Sequence, residues 1–254
     1  MQYWLHASSS KGHGVHSPFV FSFITEVLND KRFFYCYETI EIVREQLKND
    51  DTLLTIEDFG AGSRIHTHTQ RTIRDIATSS LKPKKYSQLL FRMVNYFQPS
   101  VILELGTSLG ITTSYLASGK VDAQVITMEG AKAIATIAQQ NFRSLHLKNI
   151  QLVTGNFDVT LPGTLEQLPG VDFAFIDGNH RLQPTLHYFE LLLPKVHEYS
   201  VLIFDDIHWS SEMEEAWNTI KKHEEVRLTI DLFFIGIVFF RKENKVKQDF
   251  AIRF

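Results

Sequence analysis

The segment Val101-Ile-Leu-Glu-Leu-Gly-Thr-Ser-Leu-Gly-Ile111 constrains this chain more than any other. Its apolar run predicts a buried strand, which stops at a glycine-rich turn, and a helical pattern follows over Thr112–Ser118. Strand, glycine turn and helix together let a backbone approach a nucleotide-like ligand closely. Gly106 and Gly110 stand where a Cβ would obstruct the ligand or the turn. The spacing is Glu-x-Gly-x-x-x-Gly, not the Gly-x-Gly-x-x-Gly of dinucleotide dehydrogenases.

Further strands follow in order, each releasing polar groups at its C-terminal end, the edge where open α/β sheets bind ligands. Val125–Gly130 ends in Glu129, an acid about 20 residues past the turn and suited to ribose hydroxyls. The same carboxylate would also favour the dipole of a helix starting near Ala131. Ile150–Asn156 has a glycine exit, Val171–His180 carries Asp177, and Val201–Trp209 carries Asp205 and Asp206. Helical patterns cover Ala131–Leu147, Leu182–Val196 and Glu212–Lys222. Val226–Asp231 and Phe234–Arg241 predict two closing antiparallel strands. The glycine spacing with this series points to S-adenosylmethionine rather than NAD.

Leu103-Glu-Leu-Gly-Thr-Ser-Leu-Gly110, Met128-Glu-Gly130, Phe175-Ile-Asp-Gly-Asn-His180 and Phe204-Asp-Asp206 together resemble class I S-adenosylmethionine-dependent methyltransferases. The likeness runs from about Pro83 to the C-terminus. Within the superfamily the chain is similar to small-molecule O-methyltransferases of the catechol, caffeoyl-CoA and sugar-modifying types. The resemblance implies an α/β fold: a Rossmann-like, doubly wound, seven-stranded sheet with a C-terminal antiparallel hairpin. It also implies that Glu104, Gly106, Thr107, Ser108 and Gly110 cradle the methionine portion of the cofactor, and that Glu129 holds the ribose. Asn156 and Phe157 would neighbour the adenine, and Asp177 would also face the cofactor.

A hydroxyl acceptor is a poor nucleophile while it keeps its proton, so methyl transfer needs a positioned base or a cation that lowers the hydroxyl pKa. In metal-dependent relatives, an aspartate after the fourth strand and an acidic pair after the fifth hold the ion. Asp177, Asp205 and Asp206 match those positions and would hold Mg²⁺. Without metal, Asp177 would cap its Asp-Gly turn and one of the pair the next helix. His180 stands three residues past Asp177, where catechol-type enzymes carry a lysine taken as the base. Histidine suits proton transfer near neutral pH, so His180 and Asp177 are the expected catalytic pair, with His208 a second candidate. Trp209 either stacks on a planar acceptor or packs.

The expected activity is therefore O-methylation of a small molecule, assisted by Mg²⁺. The alternatives are a metal-independent N-methyltransferase, disfavoured by Asp-Gly-Asn-His where amine enzymes often show a polar-Pro-Pro-aromatic motif, and a non-catalytic nucleoside-binding scaffold.

Residues 1–95 form the expected mainly helical N-terminal extension, and residues 96–254 the cofactor-binding domain. Ser17–Leu28, Tyr37–Asn49 and Tyr86–Phe97 have helical spacing. The extension would close over the substrate as a lid or build a homodimer interface, for which its aromatic residues are suited. Leu53–Phe59 followed by Gly60-Ala-Gly-Ser63 resembles a second glycine turn, but no strand ending in an acid follows it. Asp58–Ser63 is therefore read as a turn or a loop at the site's mouth. The histidine pairs His13/His16 and His66/His68 lack a third metal ligand and are expected at turns or the surface.

With 26 basic against 29 acidic residues, the net charge of −3 argues against nucleic acid as partner. Neither a signal peptide nor a membrane-length apolar run is evident. Together with the single cysteine, Cys36, this predicts a cytoplasmic protein.

Overall fold

The computed structural model describes residues 16–58 and 67–254. His13, His66 and most of the Asp58–Ser63 segment lie outside the described residues. The fold is mixed α/β, with a mostly parallel sheet of 8 strands flanked by helices. Two compact units are distinguished, one of Arg32–Thr164 and one of Leu165–Phe254 with the chain up to Lys31.

In the Arg32–Thr164 unit, β3 (Val101–Leu105), β4 (Gln124–Glu129) and β5 (Ile150–Thr154) run parallel. All five residues of β3 are buried, four apolar side chains and Glu104, as in a strand covered on both faces. Helix α2 (Tyr37–Lys48) places Tyr37, Ile40, Val43 and Leu47 on one face. α4 (Lys84–Phe97) ends at Gln98 in a left-handed conformation that feeds the chain into β3. α2 and α4 share a core with Leu109 and with Ile111 and Tyr115 of α5 (Ile111–Gly119).

Two elements of this unit escape the sequence patterns. β1 (Leu53–Asp58) pairs antiparallel with the polar β2 (Thr67–Thr72), whose Thr-rich run carries no apolar alternation. α3 (Ile73–Ser80) opens on a capping box, with Thr72 Oγ1 accepting from the Asp75 N–H at 3.1 Å. That Thr-x-x-Asp signal was available in the sequence. After β5 and α6 (Lys132–Ser144) comes a third surprise, α7 (Phe157–Gln167), which spans the junction of the two units and contains Pro162 and Gly163. Both residues are helix breakers, so the local pattern argues against a helix that the structure nevertheless forms.

In the other unit, α1 (Pro18–Phe23) starts at an N-cap Ser17 and runs into a π turn over Ile24–Leu28. β6 (Phe173–Ile176) and β7 (Val201–Asp205) are parallel, and both are fully buried. β7 pairs antiparallel with β9 (Ile235–Phe239), and β9 with β8 (Leu228–Asp231). This is the expected closing hairpin. A further short strand, β10 (Gln248–Ala251), lies parallel to β8 at the edge. α8 (Leu182–Leu192) follows β6, and α9 (Ser211–Lys222) follows β7. No helix among the described residues is long and apolar enough to cross a membrane.

Candidate active site

The glycine loop is held by the tip of β4. Gly106 and Thr107 both donate their N–H to the Met128 carbonyl at 3.0 Å. Ser108 donates its N–H to Glu129 Oε2 at 2.8 Å, and Gly110 donates to the Thr107 carbonyl at 2.9 Å. Four loop N–H groups are thus committed within the protein. A dinucleotide fold instead offers such groups to a pyrophosphate. The commitment favours a ligand without phosphates, which S-adenosylmethionine is.

Gly106 (φ 103°) and Gly110 (φ 82°) take the left-handed region, where glycine is unstrained. Ser108 shares it at φ 48° despite its side chain. Glu129 is partly buried, and its other oxygen, Oε1, accepts from the Ala131 N–H at 2.9 Å. Burial raises its pKa, opposed by the N–H donors of Ala131, Ser108 and Gly130. The carboxylate therefore both braces the loop and holds Ala131, the residue that leads into α6. Each oxygen has a second lone pair with which to accept a hydroxyl.

Glu104 and Thr107 are buried at 0% and 2% exposure, beneath the loop. Glu104 Oε2 accepts from Thr127 Oγ1 at 2.6 Å and from the Thr113 hydroxyl, and Thr107 Oγ1 lies 2.6 Å from Thr127 Oγ1. Thr113 and Thr127 had no role in the sequence pattern. The available signal was a threonine at the centre of the apolar run Val125-Ile-Thr-Met128. Asn156 Oδ1 accepts from the Asp158 N–H at 2.9 Å, capping α7, and Phe157 is that helix's first residue.

The second constellation lies at the C-terminal ends of β6 and β7. Asp177, His180 and Asp205 bring one ligand atom each within 4.8 Å of one another. His180 Nε2 is 3.5 Å from Asp177 Oδ1, and Asp205 is 1% exposed. Asp206, expected as a third carboxylate, is not in this group. It adopts φ 53° and donates its N–H to the Phe234 carbonyl at 2.6 Å, turning the chain out of β7. Asp206 thus lies past the end of β7 with a left-handed backbone, and of the pair only Asp205 belongs to the group. Two carboxylates supply the hard oxygen donors that Mg²⁺ takes, leaving positions for water or substrate oxygens, so the donor set fits a divalent cation. The nearby imidazole would suit a transition metal better than Mg²⁺.

His208 is held elsewhere. Its Nε2 lies 2.8 Å from Asp231 Oδ2, its Nδ1 3.3 Å from Glu214 Oε1, and its ring stacks on Phe233. Asp231 raises the His208 pKa above its ordinary value of 6.5, against the opposing effect of burial. The ion pair is fully stabilising below the unfolded-state pKa, and that contribution is lost as pH rises through the higher folded value. His208→Gln should cost about 1–2 kcal/mol at pH 6 and distinctly less at pH 9, read by urea unfolding. An equal loss at both pH values would show that the charge is not involved. Trp209 is 73% exposed and does not fill the core.

Residues 103–207 match the family profile described as a methyltransferase domain. The chain is 27% identical over 146 residues to an uncharacterized protein of Acanthamoeba polyphaga mimivirus, covering 52% of this chain. The chain spans 65% of that relative's length. Among solved structures, it superposes on a Bacillus cereus O-methyltransferase in complex with S-adenosylhomocysteine. That match has a TM-score of 0.57 and 20% identity, over 87% of this chain and 97% of the other. An S-adenosylhomocysteine-bound Podospora anserina methyltransferase gives a TM-score of 0.58 at 12% identity, over 84% of this chain and 100% of the other. A Streptomyces achromogenes O-methyltransferase involved in tomaymycin synthesis, in complex with S-adenosylmethionine, gives 0.55 at 16%, over 64% and 82%. The fold is the Rossmann-like α/β fold of these solved structures, and residues 103–207 are similar to a methyltransferase domain.

Proposed function

We propose that this protein is an S-adenosylmethionine-dependent O-methyltransferase that methylates a hydroxyl of a small molecule with the help of a divalent cation. The observation that carries the choice of oxygen is the convergence of Asp177, His180 and Asp205. An amine acceptor can present a free lone pair, whereas a hydroxyl must lose its proton.

S-adenosylmethionine, when bound, supplies an electrophilic methyl group on a sulfonium leaving group. Gly106 through Gly110 would shape the surface against its methionine portion, and Glu129 would accept from its ribose hydroxyls. Asn156 and Phe157 would border the adenine. Mg²⁺ or a similar cation, when bound, lowers the pKa of a coordinated hydroxyl. Asp177 and Asp205 would hold that cation. His180 would receive the acceptor's proton at Nε2, and Asp177 would stabilise the imidazolium that results.

Residues 1–95 would cover the acceptor or join two copies of the chain. Phe33 and Tyr35 support the second use, being 71% and 69% exposed. A cytoplasmic location accords with Cys36, a free buried thiol whose pKa burial pushes up to about 11, leaving it unreactive.

Calorimetric titration with S-adenosylhomocysteine, with and without MgCl₂, tests the cofactor. Micromolar binding to the wild type, lost in Gly106→Arg, is expected. Absence of binding in both conditions would overturn the methyltransferase reading.

A further inference from the structure

We infer that Thr127 is a positioning residue for the glycine loop, a role that rests on the proposed S-adenosylmethionine site. Three consecutive residues at the end of β4 each take hold of the loop: Thr127 through its hydroxyl, Met128 through its carbonyl and Glu129 through its carboxylate. Thr127 connects the loop to a carboxyl group that is 0% exposed, that of Glu104. The parallel register sets Thr127 directly beside Glu104 of β3.

The direction of the hydrogens follows from donor arithmetic. A threonine hydroxyl has one proton. Thr127 spends its proton on Glu104 Oε2, so in the 2.6 Å pair with Thr107 it must accept. Thr107 donates to Thr127, Thr127 donates to Glu104, and Thr113 donates to the same oxygen. Two hydroxyl protons go to one carboxylate oxygen, and the Thr107 hydroxyl reaches it through Thr127. Glu104, Thr113 and Thr127 are 0% exposed and Thr107 is 2%, so water cannot replace a missing partner without rearrangement. The buried carboxylate thereby orients Thr107, the residue between Gly106 and the strained Ser108.

Thr127→Val keeps the shape and removes the central hydroxyl. It leaves the Thr107 proton without an acceptor and Glu104 Oε2 with one donor fewer. Thr127→Ser keeps the relay. The expected result is that Thr127→Val weakens S-adenosylhomocysteine binding about ten-fold or more, measured well below its unfolding temperature, while Thr127→Ser stays within about three-fold. Amide hydrogen exchange supplies a second readout: the N–H groups of Gly106, Thr107 and Ser108 should exchange faster in Thr127→Val, with exchange in β5 unchanged. A general loss of stability would raise exchange throughout the unit. If Thr127→Val does not fold, Thr107→Val tests the same link from the loop side while leaving the Thr127–Glu104 bond intact. Wild-type affinity and wild-type loop exchange in the folded valine variant would overturn the inference. If the wild type itself binds no S-adenosylhomocysteine, the cofactor reading fails, and the exchange comparison still decides whether Thr127 holds the loop.

Discussion

Gly110→Ala should be among the most damaging single substitutions in this chain, costing about 2–5 kcal/mol of stability. A Cβ at this position would lie 2.6 Å from Phe142 Cε1, 2.9 Å from Phe142 Cζ and 3.2 Å from Ala138 Cβ. Phe142 is 1% exposed, so its ring has no solvent-filled space into which to retreat. The backbone at φ 82° adds the left-handed penalty that every residue with a Cβ incurs. Overpacking of this kind typically costs about 1–3 kcal/mol, and the left-handed conformation about 1–2 more. A domain with about 5–15 kcal/mol in total would lose a large share of its margin. Gly110 is also the N-cap of α5 and the last anchored residue of the loop, so cofactor affinity should fall at least about ten-fold with it. Urea unfolding and calorimetry check the two effects. Adding Phe142→Leu should return part of the loss, because the clash and the ring are one interaction. A stability change under about 0.5 kcal/mol in the single variant would refute the steric account.

The double variant Asp177→Asn/Asp205→Asn should lower kcat about 100-fold or more, equivalent to about 2.7 kcal/mol of transition-state stabilisation. Asparagine preserves volume and keeps one carbonyl oxygen but removes the charge that attracts a cation. Asp205 is 1% exposed, and neutralising a buried carboxylate relieves its desolvation cost. The variant should therefore unfold at a temperature no lower than the wild type. Cofactor affinity should change little if the carboxylates serve the cation, because Gly106–Gly110 and Glu129 remain. EDTA should reproduce the loss in the wild type, and added Mg²⁺ should reverse it. Unchanged turnover in both the double variant and EDTA would remove the cation from the mechanism and leave His180 as the sole proton acceptor.

The parts of this molecule legible in the sequence are those governed by short-range rules. The buried strands β3, β6 and β7 appear as continuous apolar runs, and their polar ends mark the binding edge. Helices α2, α4, α6, α8 and α9 follow from apolar spacing, with ends displaced by a few residues. α7 was hidden by Pro162 and Gly163, which are unfavourable locally but outweighed by the burial of Leu161 and Leu165. β2 was hidden because its stability comes from pairing with β1 rather than from an apolar pattern of its own. The edge strand β10 likewise depends on β8.

The candidate site divides along the same line. By itself the sequence determined which residues end the strands: the glycines after β3, Glu129 after β4, Asp177 and His180 after β6, and Asp205 with Asp206 after β7. Alternation and strand length are properties of consecutive residues, so a linear pattern contains them. Only the tertiary structure decided which of these groups meet. It brought His180 and Asp205 to Asp177, while Asp206, in a left-handed conformation, was left out of the group. It also set Thr127 of β4 beside Glu104 of β3. That pairing depends on the register of two parallel strands joined by a helix, and a shift of one residue would send the hydroxyl to the other face of the sheet. Nothing local to either strand specifies that register; the packing of both faces does.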